Sequence, residues 1–259
     1  MTSDAEPSTD TRRLANLRVW NVVVGLVLLA QAVLILVLSN DFAIPVVAPV
    51  QTGPPGTRLT VQKTFFDLRF SWAIAAFLLL AVVDHLVVAS PRVVRWYERN
   101  LLRHINYARW TEYSISASVM IVLIAMLPGI TNLYALIGLF SLNATMILFG
   151  LLMERVNQNR EDVTWWPFAF GCIAGVVPWL CITIALVVSS TEGTGVPGFV
   201  YVIFATLLVL FNCFALNQWL QYRRRGRFAD YLYGEKVYLV LSLVAKSALA
   251  WQVFAGTLR

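Results

Sequence analysis

The sequence predicts an all-α membrane protein, a bundle of seven transmembrane helices with an extracellular β-hairpin in its first loop. Apolar residues make up 59% of its 259 residues and charged residues only 13%, about half of the roughly 25% that a soluble domain carries. The mean hydropathy is +0.70. Seven apolar stretches, each long enough to cross a bilayer, leave no length for a soluble catalytic domain. The chain is therefore predicted to be a multi-pass protein of the cell membrane and not an enzyme.

The seven apolar stretches each approach or exceed about 20 residues, the length that the hydrocarbon core of a bilayer requires. Several begin or end in Trp or Tyr, as membrane interfaces favour. They divide the chain into a polar N-terminal segment, residues 1–18, and one transmembrane domain, residues 19–258. The predicted helices cover residues 19–38, 65–89, 101–127, 133–153, 165–189, 196–220 and 237–258.

The basic residues are divided unevenly between the two sides of the predicted bundle. Most of the 20 Lys and Arg residues fall in the N-terminal segment and in the second–third, fourth–fifth and sixth–seventh connections. The positive-inside rule therefore places the N-terminus in the cytoplasm and the C-terminus outside. The net charge of +6 reflects this topology and contact with anionic membrane lipid, and nucleic acid is not an expected partner. The opposite side carries Arg58, Lys63, Arg69 and Arg259.

The first loop, residues 40–64, is the long one. It holds two β-prone segments, residues 43–50 and 58–63, on either side of a Gly-Pro-Pro-Gly sequence at 53–56. Two such segments around a strong turn signal predict a β-hairpin, here on the extracellular side and able to lie across a neighbouring subunit. An irregular loop is the alternative.

Two basic residues remain inside the predicted helices, Arg109 in the third and Lys246 in the seventh. A cation in hydrocarbon costs several kcal/mol, so such a residue indicates a functional site. Glu112 is the expected partner of Lys246, because the two lie at similar depths in their predicted helices. Helical spacing puts Ser116 on the face of Arg109 and Glu112, and puts Ser242 one turn before Lys246.

This combination favours a covalent chromophore. A buried lysine is readily available as the free amine, and a free amine condenses with an aldehyde to a Schiff base. A protonated Schiff base in an apolar site requires an anion nearby, which Glu112 supplies. An aromatic-rich bundle can enclose a long polyene such as retinal. The alternative is a structural salt bridge between Lys246 and Glu112 inside the bundle.

Four strings carry a family resemblance: Arg-Trp-Thr-Glu-Tyr-Ser-Ile-Ser at 109–116, Met-Ile-Leu-Phe-Gly at 146–150 with Met-Glu at 153–154, Phe-Ala-Leu-Asn-Gln-Trp-Leu-Gln-Tyr at 214–222, and Tyr-Gly-Glu-Lys-Val-Tyr-Leu-Val-Leu-Ser-Leu-Val-Ala-Lys at 233–246. With them the chain resembles heliorhodopsins from residue 17 to 258. The inside N-terminus and the long first loop agree with this family.

The resemblance implies all-trans retinal bound to Lys246, with Glu112 as the counterion and with Ser116 and Ser242 beside that pair. It also implies further residues around the chromophore and a polar network in the cytoplasmic half. The implied lining of the polyene pocket is Asn143, Pro178, Trp179 and Phe211, and the implied network is Arg109, Glu154, Asn212 and Gln218.

The chain departs from the family at one position. Heliorhodopsins often have two histidines, in helices one and two, that are proposed to receive the Schiff-base proton. His85 matches the second, whereas Leu28 stands at the place of the first. The resemblance then implies that His85 acts without a second histidine, with water and Asp84. An interfacial role for Asp84 and His85 is the alternative.

Three functions fit these features. The first is a light receptor whose photoisomerisation changes the cytoplasmic face presented to a signalling partner, without net ion pumping. A light-driven pump or light-gated channel with the same chromophore is the second, although the outer half of the bundle has no carboxylate for an outward proton path. The third is a transporter without retinal that uses the Lys246–Glu112 pair. A homodimer through helices four and five is expected, and a metal site is not, because the Cys and His residues lack metal-ligand spacing.

Overall fold

The computed structural model describes residues 9–57, 60–158, 160–192 and 195–259. It is mostly helical, with one small sheet. The α-helices are α1 Thr9–Leu38, α2 Phe70–Ala89, α3 Val94–Leu102, α4 Tyr107–Met126, α5 Leu133–Val156, α6 Trp166–Glu192, α7 Gly198–Tyr222 and α8 Tyr231–Val253. The strands are β1 Ala43–Gln51 and β2 Thr60–Arg69. A 3-10 turn, Gly226–Ala229, precedes α8, and a π-helical turn, Phe254–Leu258, follows it.

Six helices of the described chain are long and apolar enough to cross a membrane: α1, α2, α5, α6, α7 and α8. The protein is therefore a multi-pass membrane protein. The α4 helix has 20 residues, as many as α2. It is not among these six, and its first half contains the charged residues Arg109 and Glu112.

The first helix begins earlier than predicted. The α1 helix starts at Thr9, so residues 9–18 are helical, and residues 1–8 lie outside the described part. The basic residues of this extension have partners on other helices. The Arg18 Nε donates to the Ala89 carbonyl at the end of α2 (2.8 Å), and Arg13 forms an ion pair with Asp230 just before α8. The N-terminal extension therefore packs against the bundle.

The predicted third helix, residues 101–127, is wrong at its start. Residues 94–102 form the separate helix α3, which buries Val94, Tyr97 and Leu101. A turn follows in which His104 has φ of 57°, a left-handed conformation that non-glycine residues seldom adopt. This turn reverses the chain and α4 begins only at Tyr107, where the side chain of Asn106 accepts the Arg109 backbone N–H and caps the helix.

The predicted hairpin is confirmed as a two-stranded antiparallel sheet, and its second strand is longer than expected. Residues 65–69, assigned to the second helix by their hydropathy, continue β2 and pair with β1. A bulge between Val46 and Val47 interrupts the register. The Val47 N–H donates to the Thr131 carbonyl (3.0 Å), which fastens β1 to the α4–α5 loop. Arg58, one of the predicted outer-side basic residues, lies outside the described part of the chain.

The helices surround an apolar core to which most of them contribute. The α1 helix packs on α2 and α8, α2 on α4, α4 on α5, α5 on α6, and α7 on α8. Leu28, Ile74, Ile121 and Leu249 are fully buried where these helices meet. The α6 and α7 helices approach each other less closely, and the main cavity of the protein lies beside them.

Candidate functional site

Lys246 and Glu112 form an ion pair in the interior of the bundle. The Lys246 Nζ lies 3.2 Å from the Glu112 Oε2, and both side chains are 4% exposed. The Lys246 Nζ also donates to the Ser242 Oγ at 2.8 Å, one helical turn earlier in α8. An ammonium with two oxygen partners and an aromatic ring, that of Tyr113 at 4.8 Å, is well compensated for burial.

The carboxylate side of this pair keeps free hydrogen-bonding capacity. Within the described residues, the Glu112 Oε1 and the Ser116 Oγ are buried and have no hydrogen-bond partner. Ser116 lies one turn after Glu112 in α4, as the helical spacing predicts. A buried acceptor and a buried hydroxyl without partners are costly in an apolar interior, so this side of the pair is built to receive a further polar group.

Glu112 and Lys246 are in contact although they occupy different positions along their helices. Glu112 lies in the second turn of α4, whereas Lys246 lies in the second half of α8. The first turn of α4 lies inside the protein, with Asn106 itself buried. The depths predicted from the sequence assumed a helix that starts at residue 101. The helix starts at Tyr107 instead, and Glu112 still reaches Lys246.

A cavity of about 490 Å³ opens beside the ion pair, within the roughly 300–1,000 Å³ of small-molecule sites. Lys246, Ser242 and Ser116 form its polar end, and most of the rest of its surface is apolar. The aromatic rings of Trp179 and Phe211 meet edge to face at 5.4 Å along its side. Other lining residues are Trp110, Tyr113, Met120, Met146, Phe168, Gly175, Leu208 and Phe214. The apolar lining and the lysine at the polar end suit an apolar ligand that is attached to that lysine.

Of the four pocket residues implied by the resemblance, Trp179 and Phe211 line this cavity. Asn143 is buried but does not line the cavity, and its side-chain nitrogen donates to the Ser118 Oγ at 3.1 Å. Pro178 lies inside α6 and is also buried outside the lining. The cavity wall on α6 is instead built around Gly175, where a side chain would collide with Met146.

A second buried cluster centres on Arg109. Its guanidinium forms ion pairs with Glu154 of α5 and Glu235 of α8, and it stacks 3.8 Å from the centroid of the Tyr238 ring. The Glu154 Oε2 also accepts the Asn106 backbone N–H at 2.9 Å. This carboxylate therefore lies at the N-terminus of α4, where the helix dipole favours negative charge.

The polar network implied by the resemblance comes together only in part. Arg109 and Glu154 are direct partners. The Gln218 side chain donates to the Gly150 carbonyl at 3.1 Å, close to Glu154 on the same helix. Asn212 does not join them, because its side chain donates to the Leu208 carbonyl of its own helix and is exposed.

Glu235 is the residue of this cluster that the sequence analysis missed. The seventh helix was expected to begin at residue 237, which left Glu235 in a cytoplasmic loop. The α8 helix begins at Tyr231, and the side chain of Asp230 caps it by accepting the Leu232 N–H. Glu235 is thereby buried inside the bundle. The Asp at 230, a preferred N-cap residue, is the signal that predicts the earlier start.

His85 contacts α1 rather than another histidine. Its Nδ1 lies 2.8 Å from the side-chain oxygen of Asn21, and both side chains are buried. Leu28, which stands at the place of the first family histidine, lies in the apolar core. Asp84 is half-buried and lines the same small cavity as His85. The expectation that His85 lacks a second histidine stands, and Asn21 is a partner that the sequence did not indicate.

Comparison with known protein families gives one match that covers nearly the whole chain. The family model described as Heliorhodopsin matches residues 17–258. No curated protein matches the chain.

Proposed function

This chain belongs to the heliorhodopsin family, and on that premise we propose that it is a light-sensing protein with all-trans retinal on Lys246 and Glu112 as the counterion. The observation that carries the proposal is the buried Lys246–Glu112 pair at the polar end of a large apolar cavity. Family membership implies a retinal chromophore. The residues that hold it and the response to light are the proposed part.

The residues present suit such a chromophore. Retinal joined to Lys246 absorbs visible light and isomerises. The cavity offers it an apolar volume of about 490 Å³ next to the lysine nitrogen. Trp179 and Phe211 would contact the polyene from the cavity wall, and the Glu112 Oε1 and Ser116 Oγ, which have no hydrogen-bond partner among the described residues, would supply acceptors near the lysine. Glu112 keeps a positive charge on that nitrogen stable in the buried site.

We propose signalling without net ion transport as the output. The buried carboxylate Glu112 lies beside the lysine, and Glu154 and Glu235 lie nearer to the end of the bundle at which α8 begins. On the other side of Lys246, the described helices have no Asp or Glu except Glu192 at the end of α6. An outward proton path lacks relay groups there. A changed cytoplasmic face, offered to a partner, is the output that this distribution of charge supports.

The same proposal includes α4 as a seventh membrane-spanning helix and a cytoplasmic N-terminus. The two charges that lower the hydropathy of α4, Arg109 and Glu112, are both paired inside the bundle. A paired charge that faces the interior does not prevent a helix from crossing a membrane. The basic residues of α3 and of the α7–α8 connection then face the cytoplasm, in agreement with the positive-inside rule.

We also propose a homodimer in which the hairpin and the helices α5 and α6 contact a second copy. Val61, Phe65 and Phe66 of β2 are exposed by half or more, an unusual density of apolar side chains on a hairpin outside the membrane core. Replacing Phe65 by Lys is expected to convert a dimer into a monomer in detergent, as measured by light scattering with size-exclusion chromatography. A dimer of unchanged mass would contradict the role of the hairpin.

The decisive experiment is spectroscopic. The expressed protein is mixed with all-trans retinal, and a visible absorption band is expected in the wild type and not in Lys246→Ala. Lys236→Ala is the matched control, because Lys236 lies on the same helix and contacts Trp20 outside the cavity. Absence of a band in the wild type, or a band that survives in Lys246→Ala, would overturn the proposal. Illumination of cells under pH and current recording tests the output, and a sustained pH change or photocurrent would contradict signalling without transport.

A further inference from the structure

A second and much smaller cavity, about 20 Å³, lies inside the polar half of the bundle. Side chains from α1, α2, α3, α4 and α8 line it, among them Asn21, Asp84, His85, Arg109 and Glu235. Asn21, His85 and Arg109 already form hydrogen bonds with neighbouring residues. Those bonds show which of their polar atoms remain without a partner among the described residues.

The side-chain amide of Asn21 has one orientation. Its nitrogen donates to the Leu17 carbonyl oxygen at 2.9 Å, one turn earlier in α1. A carbonyl oxygen only accepts hydrogen bonds, so exchanging the amide oxygen and nitrogen would set two acceptors against each other. The amide oxygen of Asn21 therefore faces His85, where it lies 2.8 Å from Nδ1.

That orientation determines the tautomer of His85. An amide oxygen has no proton to give, so the hydrogen bond at 2.8 Å requires a proton on Nδ1. A neutral imidazole with its proton on Nδ1 has a lone pair on Nε2. Within the described chain, the His85 Nε2 is buried and has no hydrogen-bond partner. The unprotonated nitrogen, Nε2, is therefore the one that does not face Asn21, and it has no hydrogen-bond partner among the described residues.

Arg109 has a buried N–H donor that also lacks a hydrogen-bond partner among the described residues. Its two terminal nitrogens are engaged by Glu154 and Glu235, whereas its Nε is buried without a partner among the described residues. Both Arg109 and His85 line the small cavity. The Arg109 Nε is an N–H donor and the His85 Nε2 a lone-pair acceptor, and no direct hydrogen bond joins them. A cavity holds one water when it offers roughly 10–15 Å³ and at least two polar partners.

We propose that Asn21 is a positioning residue that holds His85 in the Nδ1–H tautomer, and that one ordered water in the small cavity connects the His85 Nε2 to the Arg109 Nε. The water accepts from the arginine and donates to the histidine. Asn21 thereby presents a neutral base to the Arg109–Glu154–Glu235 cluster. This deepens the proposed function and rests on it for the source of any proton that reaches His85. The tautomer and the water do not depend on light.

The tautomer is tested by solid-state NMR of protein labelled with 15N-histidine and reconstituted in lipid. The chain has only two histidines, so His104→Asn leaves the signals of His85 alone. Asn tolerates the left-handed backbone at position 104 better than most residues do. The expected result is a protonated Nδ1 and an unprotonated Nε2. A proton on Nε2 in the resting protein would overturn the proposal.

Two variants at position 21 separate positioning from packing. Asn21→Asp keeps an oxygen acceptor toward His85, although it loses the N–H donated to the Leu17 carbonyl, and is expected to preserve the Nδ1–H signal. Asn21→Leu has a similar branched shape without an acceptor and is expected to give a mixture of tautomers. Unchanged histidine signals in folded Asn21→Leu would overturn the positioning role, and loss of the Nδ1–H signal in Asn21→Asp would do the same. If Asn21→Leu does not fold, the wild type and Asn21→Asp still decide the question.

The water is tested separately, by an experimental electron-density map at a resolution that shows ordered solvent. One peak is expected within about 2.7–3.2 Å of both the His85 Nε2 and the Arg109 Nε. A cavity without a peak, or direct contact between the two side chains, would overturn this part. The absorption spectrum of the same samples reports retinal binding independently, so failure of the proposed function is distinguishable from failure of this inference.

Discussion

Lys246 and Glu112 illustrate how a single charged pair is made tolerable in an apolar interior. Each of the two would be expensive to bury alone, and together with Ser242 they neutralise and hydrogen-bond each other. The pair is not fully satisfied, however, because one oxygen of Glu112 has no partner in the described chain. At the residue scale, two features therefore indicate a functional site: the buried charge, and the buried Glu112 oxygen that has no hydrogen-bond partner in the described chain.

Removing the charge of Glu112 tests its proposed role as counterion. In Glu112→Gln with retinal bound, the absorption band is expected to move to longer wavelength, because a less stabilised positive charge spreads further along the polyene. The control is Glu192→Gln, an exposed carboxylate at the far end of α6, for which no shift is expected. A band at the wild-type position in Glu112→Gln would mean that another group balances the lysine.

The Arg109 cluster predicts an asymmetry between its members. Arg109→Gln leaves Glu154 and Glu235 buried together without a cation and is expected to cost about 3–5 kcal/mol of unfolding free energy. Glu235→Gln leaves the Arg109–Glu154 ion pair intact and is expected to cost less, about 1.5–3 kcal/mol, the value of a hydrogen bond to a charged group. Thermal unfolding in the same detergent compares the two. Equal losses would contradict the central position of the arginine.

At the scale of elements, the start of α4 is the feature on which both clusters depend. The α3 helix and the His104 turn precede α4, and Asn106 caps a helix end that is buried. Because the backbone N–H groups of that end require acceptors, the Glu154 carboxylate from α5 serves as one of them. The position of Glu112 opposite Lys246 follows from where this helix starts.

The close approach of α4 and α5 predicts the effect of one glycine. A side chain at Gly150 would collide with the ring of Trp110, whose Nε1 donates to Glu154 at 2.7 Å. Gly150→Ala is therefore expected to lower the unfolding free energy by about 1–3 kcal/mol, a typical cost of overpacking. Gly138→Ala on the same helix is the control, since nothing lies within 4 Å of the added carbon.

The control variant is expected to be as stable as the wild type or slightly more so, because Ala exceeds Gly in helix propensity by about 1 kcal/mol. The measurement is the midpoint of thermal unfolding for both variants side by side. A Gly150→Ala protein as stable as Gly138→Ala would show that the α4–α5 contact is looser than the Trp110 position indicates.

At the scale of the whole molecule, the distribution of charge relates topology to function. Basic residues cluster at the end of the bundle where α8 begins. The buried carboxylates lie at the depth of Lys246 or nearer to that end. The other half is almost purely apolar and ends in the hairpin. The charged groups of the molecule are thus concentrated at one end, and the proposed response to light is expected to act there.

The orientation follows from this distribution and is testable with single cysteines. In a variant without native cysteines, a Cys at Glu192 is expected to react with a membrane-impermeant thiol reagent on intact cells, and a Cys at Glu161 only after lysis. The physical reason is the retention of basic loops in the cytoplasm. The reverse pattern would contradict an inside N-terminus. The native residues to replace are Cys172, Cys181 and Cys213.

Much of the architecture and the central pair was predictable from the sequence. Hydropathy located all seven long helices of the described chain, the third with a wrong start, and the two β-prone segments around a turn indicated the hairpin. Lys246 and Glu112 were conspicuous because a charge within such a stretch is rare. Element boundaries were less accurate where polar residues are helical, as at Thr9 and Tyr231, since hydropathy does not distinguish a buried polar turn from a loop.

The chain alone therefore determined which segments enter the membrane and which two charges meet there, since both follow from the cost of placing polar groups in hydrocarbon. Tertiary structure decided which polar side chains share a cavity. Glu235 joins Arg109, and Asn21 joins His85, because helices from distant parts of the chain meet at particular depths and rotations. Those depths and rotations are set by packing between helices, and hydropathy along a single helix contains no information about its neighbour.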